Sequence, residues 1–143
     1  MINFYARSVF FVKDAERSLN FYTETLGFAL DWKYEEAGRA YVFQVSLLGF
    51  ELILNQTEPA TEARAGHGRS FIGLDDEQVD AFRKHIREKG IKTTVVQWGN
   101  PTLVIHDPDG NELFFWLPDS ERAGLQAQLA GAESGRTPDR AGG

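Results

Sequence analysis

The chain of 143 residues has no cysteine. That excludes disulfides, thiolate metal sites and a cysteine nucleophile, and it fits a cytoplasmic protein. Long apolar runs are missing too: none approaches the roughly 20 residues of a membrane-spanning helix. The opening stretch MINFYARSVFFVKD has no basic start, long apolar centre or small-residue cleavage site, so no secretory signal is read there. Histidine occurs at three scattered positions, His67, His85 and His106, which is a thin basis for a metal site. Positive charge is outweighed, 15 Lys and Arg against 21 Asp and Glu, for a net charge of −6. An acidic chain repels phosphate backbones, so nucleic acid is not expected as a partner. Its long-range field mildly favours a cationic small molecule. There is also no glycine-rich phosphate loop, and no serine at a nucleophile elbow that would start a catalytic triad.

What is present is a soluble globular composition, 42% hydrophobic and 25% charged, at the length of one ordinary domain. Within it one phrase occurs twice. ARSVFFVKD begins at Ala6 and GRSFIGLDD at Gly68, which sets Arg7 and Arg69 62 positions apart. Each phrase precedes a helical pattern. Ala15, Leu19, Tyr22 and Leu26 follow Asp14 as N-cap, with Gly27 to end the helix; Val79, Phe82 and Ile86 precede Gly90. The pattern predicts helices near residues 14–26 and 77–89. ALDWKYEE and KTTVVQW each read as a strand. GRAYVFQVSLLGFELILN then reads as two strands around Leu48-Gly49, and NPTLVIHDPDGNELFFWL as two strands around DPDG. Each unit is thus strand, helix, strand, strand, strand.

These landmarks place a first module at about 4–55, a polar linker at 56–68 and a second module at about 69–117, together one domain over 1–118. Residues 119–143 form a tail. DSERAGLQAQLAGA predicts a short helix from about Glu121 with Ser120 as its cap, and ESGRTPDRAGG predicts a loose end.

The stretch SVFFVKDAERSLNFYTETLGF, with Asp14, Ser18, Phe21, Tyr22, Leu26, Gly27 and Phe28, resembles the first strand and helix of the vicinal oxygen chelate superfamily. VIHDPDGNELFFW, with Asp107 to Asn111, resembles that family's last turn and strand. The family includes glyoxalase I, extradiol dioxygenases, fosfomycin-resistance enzymes and bleomycin-resistance proteins. The resemblance covers residues 4 to about 117. It implies an α+β fold: two tandem βαβββ modules related by a pseudo-twofold, forming a curved mixed sheet around a cleft. It also implies a homodimer, in which modules are sometimes exchanged. The chemistry stays open, because the fold hosts many activities.

Enzymes of that family hold a divalent ion with four ligands, one on the first and one on the last strand of each module, usually His, Gln or Glu. Here the first-strand positions fall on Arg7 and on Arg69, or on Ser70 if the strand slips by one residue. Arginine has five donors and no acceptor, so it cannot ligate a metal. Glu51 matches a last-strand ligand. In the second module the matching position is Phe114, with Glu112 two residues earlier on the same face. The expected metal and cofactor content is therefore none. Arg7 and Arg69 are expected to pair with Glu51 and Glu112. Three readings stand open: the pairs plug a vacated metal site, they meet an anionic or carbonyl group of a ligand, or the arginines turn out to solvent.

Phenylalanine and tryptophan are abundant, 11 and 3. Strand alternation sends part of them to the cleft rather than the core. Val9 and Phe11 share the face of Arg7, and Trp116 that of Glu112 and Phe114. Trp98-Gly99 stands where antibiotic-binding relatives carry a tryptophan-glycine loop, without the preceding proline. The candidate ligand-binding residues are Arg7, Phe11, Tyr41, Phe43, Glu51, Arg69, Trp98, Glu112, Phe114 and Trp116. His67 is expected to be exposed, His85 to be solvated on a charged helix face, and His106 to brace the DPDG turn. DPDGNE itself is a turn and not a calcium loop, since its glycine is fourth rather than sixth. The expected function is metal-independent binding of a small organic molecule, by sequestration in the manner of bleomycin resistance. The alternatives are a metal-dependent lyase, transferase or dioxygenase using Glu51, a metal-free isomerase, and a noncatalytic protein-interaction module.

Overall fold

A computed structural model describes residues 4–59 and 62–134. The first module is β1 (Ser8–Val12), α1 (Ala15–Asn20) running on into a π-helical turn (Phe21–Thr25), β2 (Ala29–Glu36), β3 (Arg39–Leu47) and β4 (Phe50–Gln56). The second is β5 (Arg69–Gly73), α2 (Asp76–Lys89), β6 (Thr94–Trp98), β7 (Asn100–His106) and β8 (Glu112–Trp116). A 3₁₀ turn (Asp119–Glu121) leads into α3 (Arg122–Ser134). The strands make two four-stranded sheets of one topology, β1-β4-β3-β2 and β5-β8-β7-β6. In each, the first strand joins the last in parallel and the rest are antiparallel. The expected βαβββ duplication is the architecture found.

Local chemistry sets the ends of the elements. The Asp14 carboxylate accepts the N–H of Arg17 at 3.1 Å and starts α1. In α2, Asp75 and Gln78 form a reciprocal capping box, at 2.8 and 2.9 Å. Gly90 closes α2 in a left-handed conformation, φ 63°.

Alternation sorts the strand residues. In β1, Phe10 and Val12 are buried while Val9 is exposed. The buried faces of both sheets meet the helices in one continuous core, to which Phe10, Tyr22, Leu52 and Leu54 contribute from the first module and Phe82, Leu103, Leu113 and Phe115 from the second. Each such side chain contributes roughly 1.5–3 kcal/mol by leaving water. The modules meet along β1 and β5, where the Ser8 and Ser70 hydroxyls are hydrogen-bonded at 2.8 Å.

The polar segment between the modules is held firmly. Thr57 N–H donates to Val12 O at 2.9 Å, Gly66 N–H to Phe11 O at 3.1 Å, and Gly68 N–H to Asn111 Oδ1 at 2.7 Å. Gly66 has φ 85°, and a Cβ there would sit 2.1 Å from the Asp109 carbonyl oxygen, so only glycine fits.

Two expectations are corrected. Ser120 does not cap the tail helix: it lies inside the 3₁₀ turn and donates its hydroxyl to Asp76 at 3.1 Å, tying the tail to the start of α2. α3 itself buries Leu125 and Leu129. His85 is not solvated: its Nε2 contacts the Leu26 carbonyl, and its ring sits where a Cβ on Gly27 would fall. It closes the end of the first module's helix from the second module. Of the tail predicted to be loose, everything from residue 135 lies outside the described residues.

Candidate functional site

The face of each sheet turned away from the helices carries the residues of interest. Parallel register places the first-strand arginines beside the last-strand glutamates: Arg69 is paired with Glu112 directly, and Ser8 with Leu52 one step beyond Arg7 and Glu51. Both expected ion pairs form, in different ways. Arg69 donates from Nε at 3.0 Å and from an Nη at 2.8 Å to the same oxygen of Glu112. The other Glu112 oxygen lies 3.3 Å from Nε2 of His106. His106 thus turns to this pair instead of bracing the DPDG turn. In the first module Arg7 Nε stands 3.6 Å from Glu51 Oε2, beyond hydrogen-bond length, and is buried without a hydrogen-bond partner.

Glu51 is engaged by a residue that alternation alone did not single out. Gln44 on β3 donates through Nε2 to Glu51 at 2.8 Å and to Asp31 at 2.9 Å, and Ser46 donates to Asp31 at 2.8 Å. Gln44 is only 3% exposed, and its Oε1 is buried without a hydrogen-bond partner. Turning the amide over would set that oxygen against two carboxylates, so the arrangement is electrostatically determined. The floor of the first module is therefore a polar chain from Arg7 to Ser46, in which Arg7 Nε and Gln44 Oε1 lack a hydrogen-bond partner among the described residues.

The second module presents an aromatic shelf. Phe71, two residues beyond Arg69 on β5, lies 5.8 Å from Trp98 and 5.7 Å from Trp116. Trp98 stands edge-on to Phe114 at 5.1 Å. The Arg69 guanidinium lies over Phe114 at 4.0 Å and near Trp98 at 5.7 Å. Phe71 and Trp98 remain 52% and 40% exposed. The tight β6–β7 turn at Gly99, φ 74°, holds Trp98 at its place. Phe71 was legible from its spacing to Arg69; Gln44 and Asp31 were not, because their meeting depends on a bulge in β2 near Asp31.

The other sequence candidates lie elsewhere. Phe43 is buried with Val12 and Ala15 behind the sheet. Tyr41 is bonded to Glu36 near the β2–β3 turn, a bond that raises its hydroxyl pKa to about 12. Phe11 is on the same face as Arg7 but lies under the Arg64 guanidinium of the linker, 4.3 Å from its ring centre. His67 is exposed, as expected.

A divalent ion does not fit the four positions. Arg7 and Arg69 put guanidiniums at two of them and Phe114 a ring at a third, while Glu51 at the fourth and the nearby Glu112 are each already paired with an arginine. Among the described residues no three His, Asp or Glu side chains come together as donors.

A family model described as Glyoxalase/Bleomycin resistance protein/Dioxygenase superfamily matches residues 2–115. A search of curated protein sequences finds no match. Among solved structures, the chain is similar to a bleomycin-binding protein of Streptomyces verticillus complexed with copper(II)-bleomycin, at TM-score 0.60 and 20% identity, over 83% of this chain and 100% of that one. It is also similar to an antibiotic-binding protein of a Streptomyces species, at TM-score 0.52 and 23% identity over 83% and 100%. A lactoylglutathione lyase of Agrobacterium tumefaciens aligns at TM-score 0.54 and 16% identity, over 81% and 94%. At these identities the likeness concerns the fold.

Proposed function

Since the chain belongs to the glyoxalase/bleomycin resistance protein/dioxygenase superfamily, we propose that it binds a small, flat organic molecule on the aromatic shelf of its second module, without a metal and without making or breaking a bond. The observation that carries this reading is the adjacency of exposed Phe71 and Trp98 to Trp116, with Arg69 at the edge. Large rings left in water at mutual contact distance favour a flat guest that covers them. Arg69, its side chain 44% exposed at the edge of the shelf, supplies a polar group suited to orienting such a guest. The arginines at two ligand positions weigh against a metal-dependent lyase, transferase or dioxygenase built on Glu51. The net charge of −6 favours a cationic ligand such as bleomycin, and sequestration of an antibiotic is the role that follows.

The same reading takes the working unit as a homodimer in the cytoplasm. Every residue of β2 is exposed, including Leu30, Trp32 and Tyr34, an apolar stripe suited to a second copy. Among the described residues no helix is long and apolar enough to cross a membrane.

The test is a titration of tryptophan fluorescence with metal-free bleomycin and with flat aromatic cations, in buffer with and without EDTA. Saturable quenching that EDTA leaves intact, and that Trp98→Ala abolishes, is expected. No response to any of them, or a response that needs near-stoichiometric bound metal, overturns the proposal. Elemental analysis of protein purified without chelator supplies the second measurement.

A further inference from the structure

Where the β3–β4 turn of the first module approaches α2 of the second, the fold leaves a cavity of about 370 Å³. Among the described residues, five phenylalanines contribute to its wall, Phe28, Phe50, Phe71, Phe82 and Phe115, and no Asp, Glu, Lys, Arg or His does; Gln78 supplies the one polar side chain. The Gln78 Oε1 accepts the Asp75 N–H at 2.9 Å, which leaves Nε2 as a donor toward a guest. A volume of this size lies within the range of small-molecule pockets, and the site stands partly open to solvent, so a guest can enter.

The lip of the cavity carries an independent sign. Leu48 holds φ 50° in the β3–β4 turn and is 56% exposed. Left-handed backbone costs a non-glycine residue roughly 1–2 kcal/mol, and Asn or Gly is the usual occupant of such a turn. The β2–β3 turn has the same backbone with Ala37 at φ 53°, so what sets this turn apart is a large apolar side chain held in water at the lip.

We infer that this cavity is a binding site for an uncharged aromatic molecule, separate from the aromatic shelf. The absence of charge in the lining excludes ions that would enter unpaired. The phenylalanines favour a ring that they can meet edge-on or stacked, and Gln78 Nε2 suits a single acceptor on it. Phe71 belongs both to this wall and to the shelf, so the two sites share one ring.

The probe is N-phenyl-1-naphthylamine, an uncharged aromatic whose emission rises on leaving water. Saturable binding of one probe per chain is expected. Gly73→Leu fills the cavity: a Cβ there meets only the Phe71 ring, at 3.8 Å, so the backbone tolerates it. It should weaken binding at least about tenfold, the equivalent of 1.4 kcal/mol. Leu48→Asn removes the apolar lip while suiting the turn, and should weaken binding about threefold or more. Trp98→Ala should leave probe affinity unchanged while abolishing the quenching on the shelf, so the two sites succeed or fail separately. Gly73→Leu is read only if its circular dichroism matches the parent; otherwise Leu48→Asn decides. The inference is overturned if the parent shows no saturable rise, if the interpretable variants bind as well as the parent, or if Trp98→Ala loses the probe. It is overturned too if sedimentation shows that Leu48→Asn splits a dimer, which would make the lip an interface between copies.

Discussion

The β7–β8 turn and the β3–β4 turn occupy equivalent places in the two modules, Gly110 answering to Gly49, and they hold the molecule together in opposite ways. The first is polar and saturated. Asp107 accepts the backbone N–H groups of Asp109 and Asn111, both at 2.9 Å, and side-chain bonds from Asn111 at 3.0 Å and Tyr22 at 3.2 Å. Asn111 reaches across to Phe11 O at 3.1 Å, and Arg17 on α1 donates to Asp109 at 3.0 Å. The second module is thereby stapled to the first strand and helix of the first module. At the matching place on the other side, Ser46, Leu48 and Phe50 stand where Asp107, Asp109 and Asn111 would be, and Gln78 where Arg17 would be. No staple forms there, and the cavity remains. One duplicated turn thus serves as a structural clamp, while the other is free to serve a ligand.

The largest test of this contrast is Asp107→Ala. It strands several buried donors, each costing about 1–3 kcal/mol, so a loss of at least about 3 kcal/mol is expected in urea unfolding. A loss under about 1 kcal/mol would mean the clamp holds nothing. The contrast sharpens with pH. Burial raises the Asp107 pKa above its usual value, although its hydrogen bonds to Asn111 and the Asp109 backbone pull the other way. The folded state therefore holds that proton more tightly than the unfolded chain. The resulting contribution is fully present below the ordinary carboxylate pKa and is lost as pH rises through the raised one. Relative to Asp107→Asn, the parent should gain stability as pH falls from 6 toward 4, by about 1.4 kcal/mol for each pKa unit of difference. A gap that stays level across that range would remove burial as the dominant influence on Asp107.

A middle-sized effect is expected at the ion pairs. Arg7 and Glu51 have side chains 28% and 42% exposed, so their attraction is screened. Arg7→Met should cost under about 1 kcal/mol and little more at pH 8 than at pH 5. A cost of several kcal/mol, recovered by adding Glu51→Gln, would show a desolvated pair instead. The smallest effect belongs to the open turn: Leu48→Asn should stabilise the fold by up to about 1 kcal/mol, since asparagine tolerates the left-handed conformation. Thermal melting that shows a clear loss would mean Leu48 packs against the fold more than its exposure indicates.

The repeat was legible in the sequence because its signals are local. Asp14 and Asp75 cap helices through atoms three residues away, Gly27 and Gly90 end them, and period-two alternation decides the face of each strand residue. From these alone come two βαβββ units, and with them the register that sets Arg7 near Glu51 and Arg69 beside Glu112. Phe43 faces the core with Val45, on the side of β3 opposite Gln44, so its face alone removes it from the site; Phe11 is on the open face yet lies beneath Arg64, which alternation does not reveal. His85 looked solvated until the other module's helix end met it. The gathering of Asp31, Gln44 and Glu51, the shelf around Phe71 and the cavity under Leu48 join residues distant in the chain. Their distances depend on sheet bulges and on how closely two modules pack. Those are properties of the folded whole, so tertiary structure alone decided them, while the order of strands and helices was already determined by the chain.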